Sequence, residues 1–88
     1  MATRLELNEA QCRELVQRFG TPCYVVDEAT FRAKLRQYRA AMESNCAAFE
    51  LAYASKANSC LAIIRLAYLE GLLIDAASAG EIEAAFRA

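Results

Sequence analysis

Apolar side chains return at three- and four-residue steps in four stretches of this chain, and run close to unbroken in three short segments between them. The first spacing is that of an amphipathic helix and the second that of a buried strand. Residues 8–19 carry Ala10, Cys12, Leu15, Val16 and Phe19 near helical spacing, with Asn8 suited to cap the start and Gly20 the end. Thr21-Pro22 then breaks the helix, and Cys23-Tyr24-Val25-Val26 predicts a short strand ending at Asp27. Asp27 is placed to cap a second helix on Phe31, Leu35, Tyr38, Ala41 and Met42, whose other positions carry Arg32, Lys34, Arg36 and Arg39 as a solvated face. A turn is expected over 44–47.

The remaining half repeats one unit. Residues 49–55 are apolar apart from Glu50, as in a strand covered on both faces. Leu61, Ile64, Leu66, Ala67 and Leu69 predict a third helix, with Asn58 or Ser59 as cap and Gly71 as stop. A strand over 72–77 follows, then a polar turn at Ser78-Ala79-Gly80-Glu81 and a helix through Ile82, Ala85 and Phe86. Two buried strands joined by a helix make a βαβ unit, which requires a parallel sheet with a right-handed crossover, so the fold class is α/β. The last periodic segment reaches Ala88 without a capping signal, which reads as a piece of something larger.

Composition narrows the function classes. Apolar residues make up 57% and charged ones 24%, the balance of a chain with a packed core, in which Tyr24, Tyr38, Tyr53 and Tyr68 read as core residues. A net charge of −1 with interleaved signs argues against nucleic acid and anionic lipid as partners. The first residues lack the apolar stretch of a signal peptide and no later run is long enough to span a membrane, so the expected location is cytoplasmic. Cys12, Cys23, Cys46 and Cys60 are widely spaced and the chain has no histidine, which points to free thiols and no metal site.

The chemistry concentrates at Lys56. It and Lys34 are the only lysines, and Lys56 follows a predicted parallel strand, at the sheet edge where α/β folds place their sites. An amine held there against apolar walls loses hydration and becomes available to attack an aldehyde, which arginine could not do.

Three segments carry a family resemblance. Tyr53-Ala54-Ser55-Lys56-Ala57-Asn58 closely resembles the Y-A-x-K-A-N segment of diaminopimelate decarboxylases, in the pyridoxal-phosphate-dependent ornithine/diaminopimelate/arginine decarboxylase family, where the lysine bears the cofactor. Upstream, the run from Phe19 to Asp27 looks like F-G-T-P-x-Y-V-x-D. Downstream, the run from Gly71 to Glu81 resembles G-x-x-x-D-x-x-S-x-G-E, with Ala76-Ala77 in place of the commoner valines and Ala79 where glycine is frequent.

The resemblance implies the N-terminal fragment of an alanine-racemase-like (β/α)8 TIM barrel. Residues 1–48 would be a helix-strand-helix lead-in, and 49–88 the first two βα units. It implies pyridoxal 5'-phosphate as cofactor, with Lys56 as the catalytic residue that carries it and Asp75 and Glu81 as further cofactor-binding residues. Asn58 and Ser59 could touch the cofactor or only cap the next helix. The expected reaction is decarboxylation of a small amino acid, meso-diaminopimelate to L-lysine ahead of ornithine, arginine or carboxynorspermidine, in a homodimer with shared sites. An 88-residue chain falls far short of the roughly 250 residues of a closed barrel, so by itself it is expected to be inactive. Alanine racemases, whose lysine segment continues K-A-N-A-Y-G where this chain has Ser59-Cys60-Leu61, and a non-catalytic homologue stand behind this reading.

Overall fold

The computed structural model describes residues 5–88, and the absence of a signal-peptide pattern expected at the N-terminus falls partly on residues 1–4, outside them. Four helices, α1 (Glu9–Phe19), α2 (Glu28–Asn45), α3 (Leu61–Leu69) and α4 (Ala79–Arg87), and two strands, β1 (Ala52–Ala54) and β2 (Leu73–Asp75), form an α/β arrangement. A 3-10 turn, Ser55–Ala57, follows β1 directly.

Local chemistry accounts for the helix ends. Asn8 caps α1 through a reciprocal box: its Oδ1 accepts the Gln11 N–H at 2.8 Å and Gln11 Oε1 accepts the Asn8 N–H at 3.0 Å. Asp27 caps α2 by accepting the Thr30 N–H at 3.1 Å. Glutamates stand four residues before arginines at Glu9–Arg13, Glu28–Arg32 and Glu83–Arg87, the favoured orientation along a helix. α3 ends where Gly71 turns the chain at φ 84°.

β1 and β2 pair in parallel, with Ala52 opposite Leu73, Tyr53 opposite Ile74 and Ala54 opposite Asp75. α3 is the crossover between them, and it supplies most of the core: Ile63, Ile64 and Ala67 are buried with Leu72, Ile64 to 1% exposure and Ala67 to 0%. Ser55 is the one buried polar residue among those described.

Several expectations need correction. Residues 23–26 form no strand, because no neighbouring strand lies alongside to pair with them, and Tyr24 is wholly exposed. Both sheet strands are three residues long rather than six or seven, and β1 is not covered on both faces, since Ala52 is exposed. Tyr38 and Tyr68 lie on the surface, leaving Tyr53 alone of the four tyrosines half-buried, its ring edge against Phe31 at 6.0 Å between centroids. Lys34 is half-buried rather than fully solvated. α2 runs on to Asn45, so the turn begins only at Cys46. Residues 79–81 are the first turn of α4, capped by Ser78, not a loop before it.

The radius of gyration, 15.5 Å, exceeds the roughly 12 Å of a compact domain of this length, and the chain forms a slab only 17 Å thick. A slab of that thickness has room for one covered layer, which is why Phe19, Leu69, Leu73 and Phe86 stay exposed. All four cysteines are free and exposed. No helix among the described residues is long and apolar enough to cross a membrane.

Candidate functional site

Both parallel strands end on the same edge, and three elements meet there: the 3-10 turn after β1, the loop after β2 and the start of α4. The turn arises because β1 gives way to Ser55-Lys56-Ala57, with Ser55 drawn inward and Lys56 turned out. Lys56 opens on a cleft of about 990 Å³ that Tyr24, Val26, Asn58, Ser59, Cys60 and Leu66 help to line. The apolar enclosure expected around its amine is not formed. Lys56 is exposed, because α3 walls the cleft on one side only and Tyr24 stands out in solvent.

Ser55 ties the edge together. Its hydroxyl is fully buried and lies 2.9 Å from the Asp75 main-chain oxygen and 3.1 Å from Glu81 Oε1. The same Glu81 oxygen accepts the Ala77 N–H at 3.0 Å, and Oε2 accepts the Ser78 hydroxyl at 3.1 Å. Glu81 in turn donates its own N–H to Ser78 Oγ at 3.2 Å, closing the cap of α4. The Ala77 N–H holds the Glu81 carboxyl below the usual carboxylate range against partial burial, with Ser78, Ser55 and the Lys56 charge acting in the same direction.

The three residues singled out from the sequence therefore share one sheet edge in different roles. Lys56 projects into the cleft, and its charge acts on Glu81, which is fixed by Ser55, Ala77 and Ser78. Asp75 is exposed and reaches this network through its main-chain oxygen. Asn58 and Ser59 are not the N-cap of α3; Cys60 holds that position, and Asn58 Oδ1, two residues before it, accepts the Cys60 N–H at 3.0 Å. The Asn58 main-chain oxygen accepts the Tyr53 hydroxyl at 2.7 Å, fastening the loop over the strand, and burial pushes the Tyr53 phenol up.

Two features were not found from the sequence. The signal at Ser55 is a lone hydroxyl ending an apolar strand, since a buried polar group needs partners. Arg32, Arg36 and Arg39 converge on Glu70 rather than facing only solvent: Arg36 bonds it twice, at 2.8 and 3.1 Å, Arg32 approaches to 3.7 Å, and Arg39 donates to its main-chain oxygen. Their spacing, four and then three residues, was the available clue.

Comparison with known proteins bears on this edge directly. The family model described as "Pyridoxal-dependent decarboxylase, pyridoxal binding domain" matches residues 28–88. A protein named diaminopimelate decarboxylase from Synechocystis sp. is 40% identical over 79 residues, 89% of this chain and 17% of that protein. Proteins of the same name from Methanothermobacter thermautotrophicus and Bacillus subtilis are 40% and 39% identical, each over 84 residues and 96% of this chain, and over 20% and 19% of their own lengths. The chain thus spans about a fifth of the length of these relatives. No solved structure matches it.

Proposed function

Because this chain belongs to the pyridoxal-dependent decarboxylases, in the pyridoxal binding domain of that family, we propose that it forms the lysine-bearing edge of a decarboxylase acting on meso-diaminopimelate to give L-lysine. The observation that carries the proposal is Lys56 itself, a primary amine exposed in a cleft beside the C-terminal ends of two parallel strands. An aldehyde can reach such an amine, and the cleft is large enough for a cofactor of pyridoxal phosphate size, so the residues present fit the group.

Lys56 is the residue that would hold pyridoxal 5'-phosphate, with Asp75 and Glu81 contributing from the same strand edge. When bound, the cofactor supplies an electron sink for the charge left as a carboxylate departs. The chain's own residues bind and orient. Glu81 stays ionised and keeps a negative charge near the lysine, while Val26, Ile63 and Leu66 give the cleft an apolar wall that limits water. No arginine is among the residues lining this cleft, so a grip on the phosphate comes from elsewhere in the protein.

The same proposal extends to architecture. Residues 49–88, with β1, α3, β2 and α4, supply the first two βα units of a (β/α)8 barrel, and residues 1–48 a lead-in. The exposed apolar side chains Leu69, Leu73 and Phe86 support it, since further βα units would cover them. The whole protein acts in the cytoplasm as a homodimer, and residues 1–88 alone do not turn over substrate.

The test is to express the full reading frame, treat it with pyridoxal phosphate and borohydride, and map the modified lysine by mass spectrometry. Modification at Lys56 rather than Lys34, with carbon dioxide release from diaminopimelate that Lys56→Ala abolishes, is the expected result. A protein that retains no cofactor at Lys56 refutes the assignment.

A further inference from the structure

The Ser55 hydroxyl has two acceptors and one hydrogen. Asp75 O is a carbonyl, and an ionised Glu81 offers only lone pairs, so the hydroxyl divides its proton between 2.9 Å and 3.1 Å contacts. Residue 55 is fully buried, and water cannot replace either bond. Ser55 also immediately precedes Lys56, within the same 3-10 turn. One side chain thus joins the end of β1, the end of β2 and the first turn of α4, and the next residue along the chain carries the exposed amine.

We propose that Ser55 is a positioning residue for Lys56, acting through Glu81: its hydroxyl ties the 3-10 turn to the Glu81 carboxylate on α4, and the turn so held sets the point from which Lys56 enters the cleft. The reference to Lys56 rests on the function proposed above, but the link from Ser55 to Glu81 does not. Ala77 and Ser78 hold Glu81 from its own loop and helix, and neither connects it to β1; Ser55 alone does. Lys56 is the charged group that acts on Glu81 from β1's end, and Asp75 stands at the end of β2. Protonation of Glu81 changes the arrangement in a defined way. A carboxyl protonated at Oε1 becomes a donor toward Ser55 Oγ, the serine hydroxyl then donates wholly to the Asp75 carbonyl, and the tie between the turn and Glu81 reverses direction.

Two measurements on the protein from the full reading frame test this. The first follows the Glu81 side-chain carboxyl carbon by NMR across acid pH without cofactor. Ser55→Ala removes one donor to the carboxylate, so the Glu81 midpoint is expected to shift upward, and Ser55→Thr, which keeps the hydroxyl, to restore it. A midpoint unmoved by Ser55→Ala overturns the proposal whatever the protein does with pyridoxal phosphate. The second measures the rate of borohydride-trapped pyridoxal phosphate incorporation at Lys56 by peptide mass mapping. Ser55→Ala is expected to slow it in the wild-type background and to have no further effect beside Glu81→Gln. Equal slowing in both backgrounds means that Ser55 serves the fold rather than Glu81, and overturns the proposal. Wild-type protein that incorporates nothing at Lys56 refutes the cofactor assignment instead, and is told apart from the first outcome by the NMR titration.

Discussion

Arg36 on α2 grips Glu70 at the end of α3 with both arms of its guanidinium, Nε to Oε2 at 3.1 Å and Nη2 to Oε1 at 2.8 Å. Arg32 and Arg39 stand beside it, so α2 is pinned to the turn that leads into β2. Fork-to-carboxylate pairing fixes direction as well as distance, which a lysine at position 36 could not do.

This pairing makes stability acid-sensitive. The Arg36 bonds hold the Glu70 carboxyl below its ordinary value of 4.5. A carboxyl depressed in the folded state stabilises above its unfolded pKa, and that contribution is lost as pH falls through the folded value. The melting temperature is expected to fall on acidification below about pH 5. Glu70→Gln lowers it at neutral pH and flattens the acid dependence. Glu81 contributes with the same sign, so the flattening is partial.

Gly71 cannot be replaced without cost. Its φ of +84° lies in the left-handed region, and a Cβ there would stand 3.0 Å from Arg39 Nη2. Gly71→Ala is expected to destabilise by about 1–2 kcal/mol from backbone strain alone, read from urea unfolding. An additional loss from the displaced Arg39 should disappear beside Arg39→Ala.

Ile64 is the largest apolar side chain that is fully buried, and few others share the core with it. Ile64→Ala should cost about 2–5 kcal/mol, a large share of the stability of a small domain. Loss of the dispersed amide NMR spectrum at ambient temperature is the measurement.

Tyr53→Phe isolates the clasp over the cleft. It keeps the ring against Phe31 but removes the 2.7 Å bond to the Asn58 carbonyl, at an expected cost of about 0.5–1.5 kcal/mol. Faster amide hydrogen exchange at Asn58 and Ser59, with the core unchanged, is the expected signature.

The helices were legible because their information is local. Asn8 and Asp27 cap the helices they precede, as their hydrogen-bonding side chains dictate, and the stretches with apolar steps form α2 and α3, although Tyr38, Leu61 and Leu69 stay exposed. The parallel pairing of β1 with β2 followed from two apolar runs joined by a helix. At α4 two local signals compete: Ser78 followed three residues later by Glu81 is a helix start, whereas Gly80 and its polar neighbours favour a turn, and the helix start prevails.

What the sequence by itself determined was therefore the α/β class, the N-caps of the first two helices and the lysine standing after a strand. Tertiary structure decided the rest. Whether 23–26 became a strand depended on a pairing partner, whether Arg36 faced water depended on Glu70 arriving from another helix, and whether Lys56 was walled in depended on what packs across the cleft. The network at Ser55 belongs to the same class, since its hydroxyl meets groups 20 and 26 residues away. Periodicity and capping act within a few residues along the chain, whereas these contacts exist only after the crossover has laid β2 beside β1 and brought the start of α4 to their common edge.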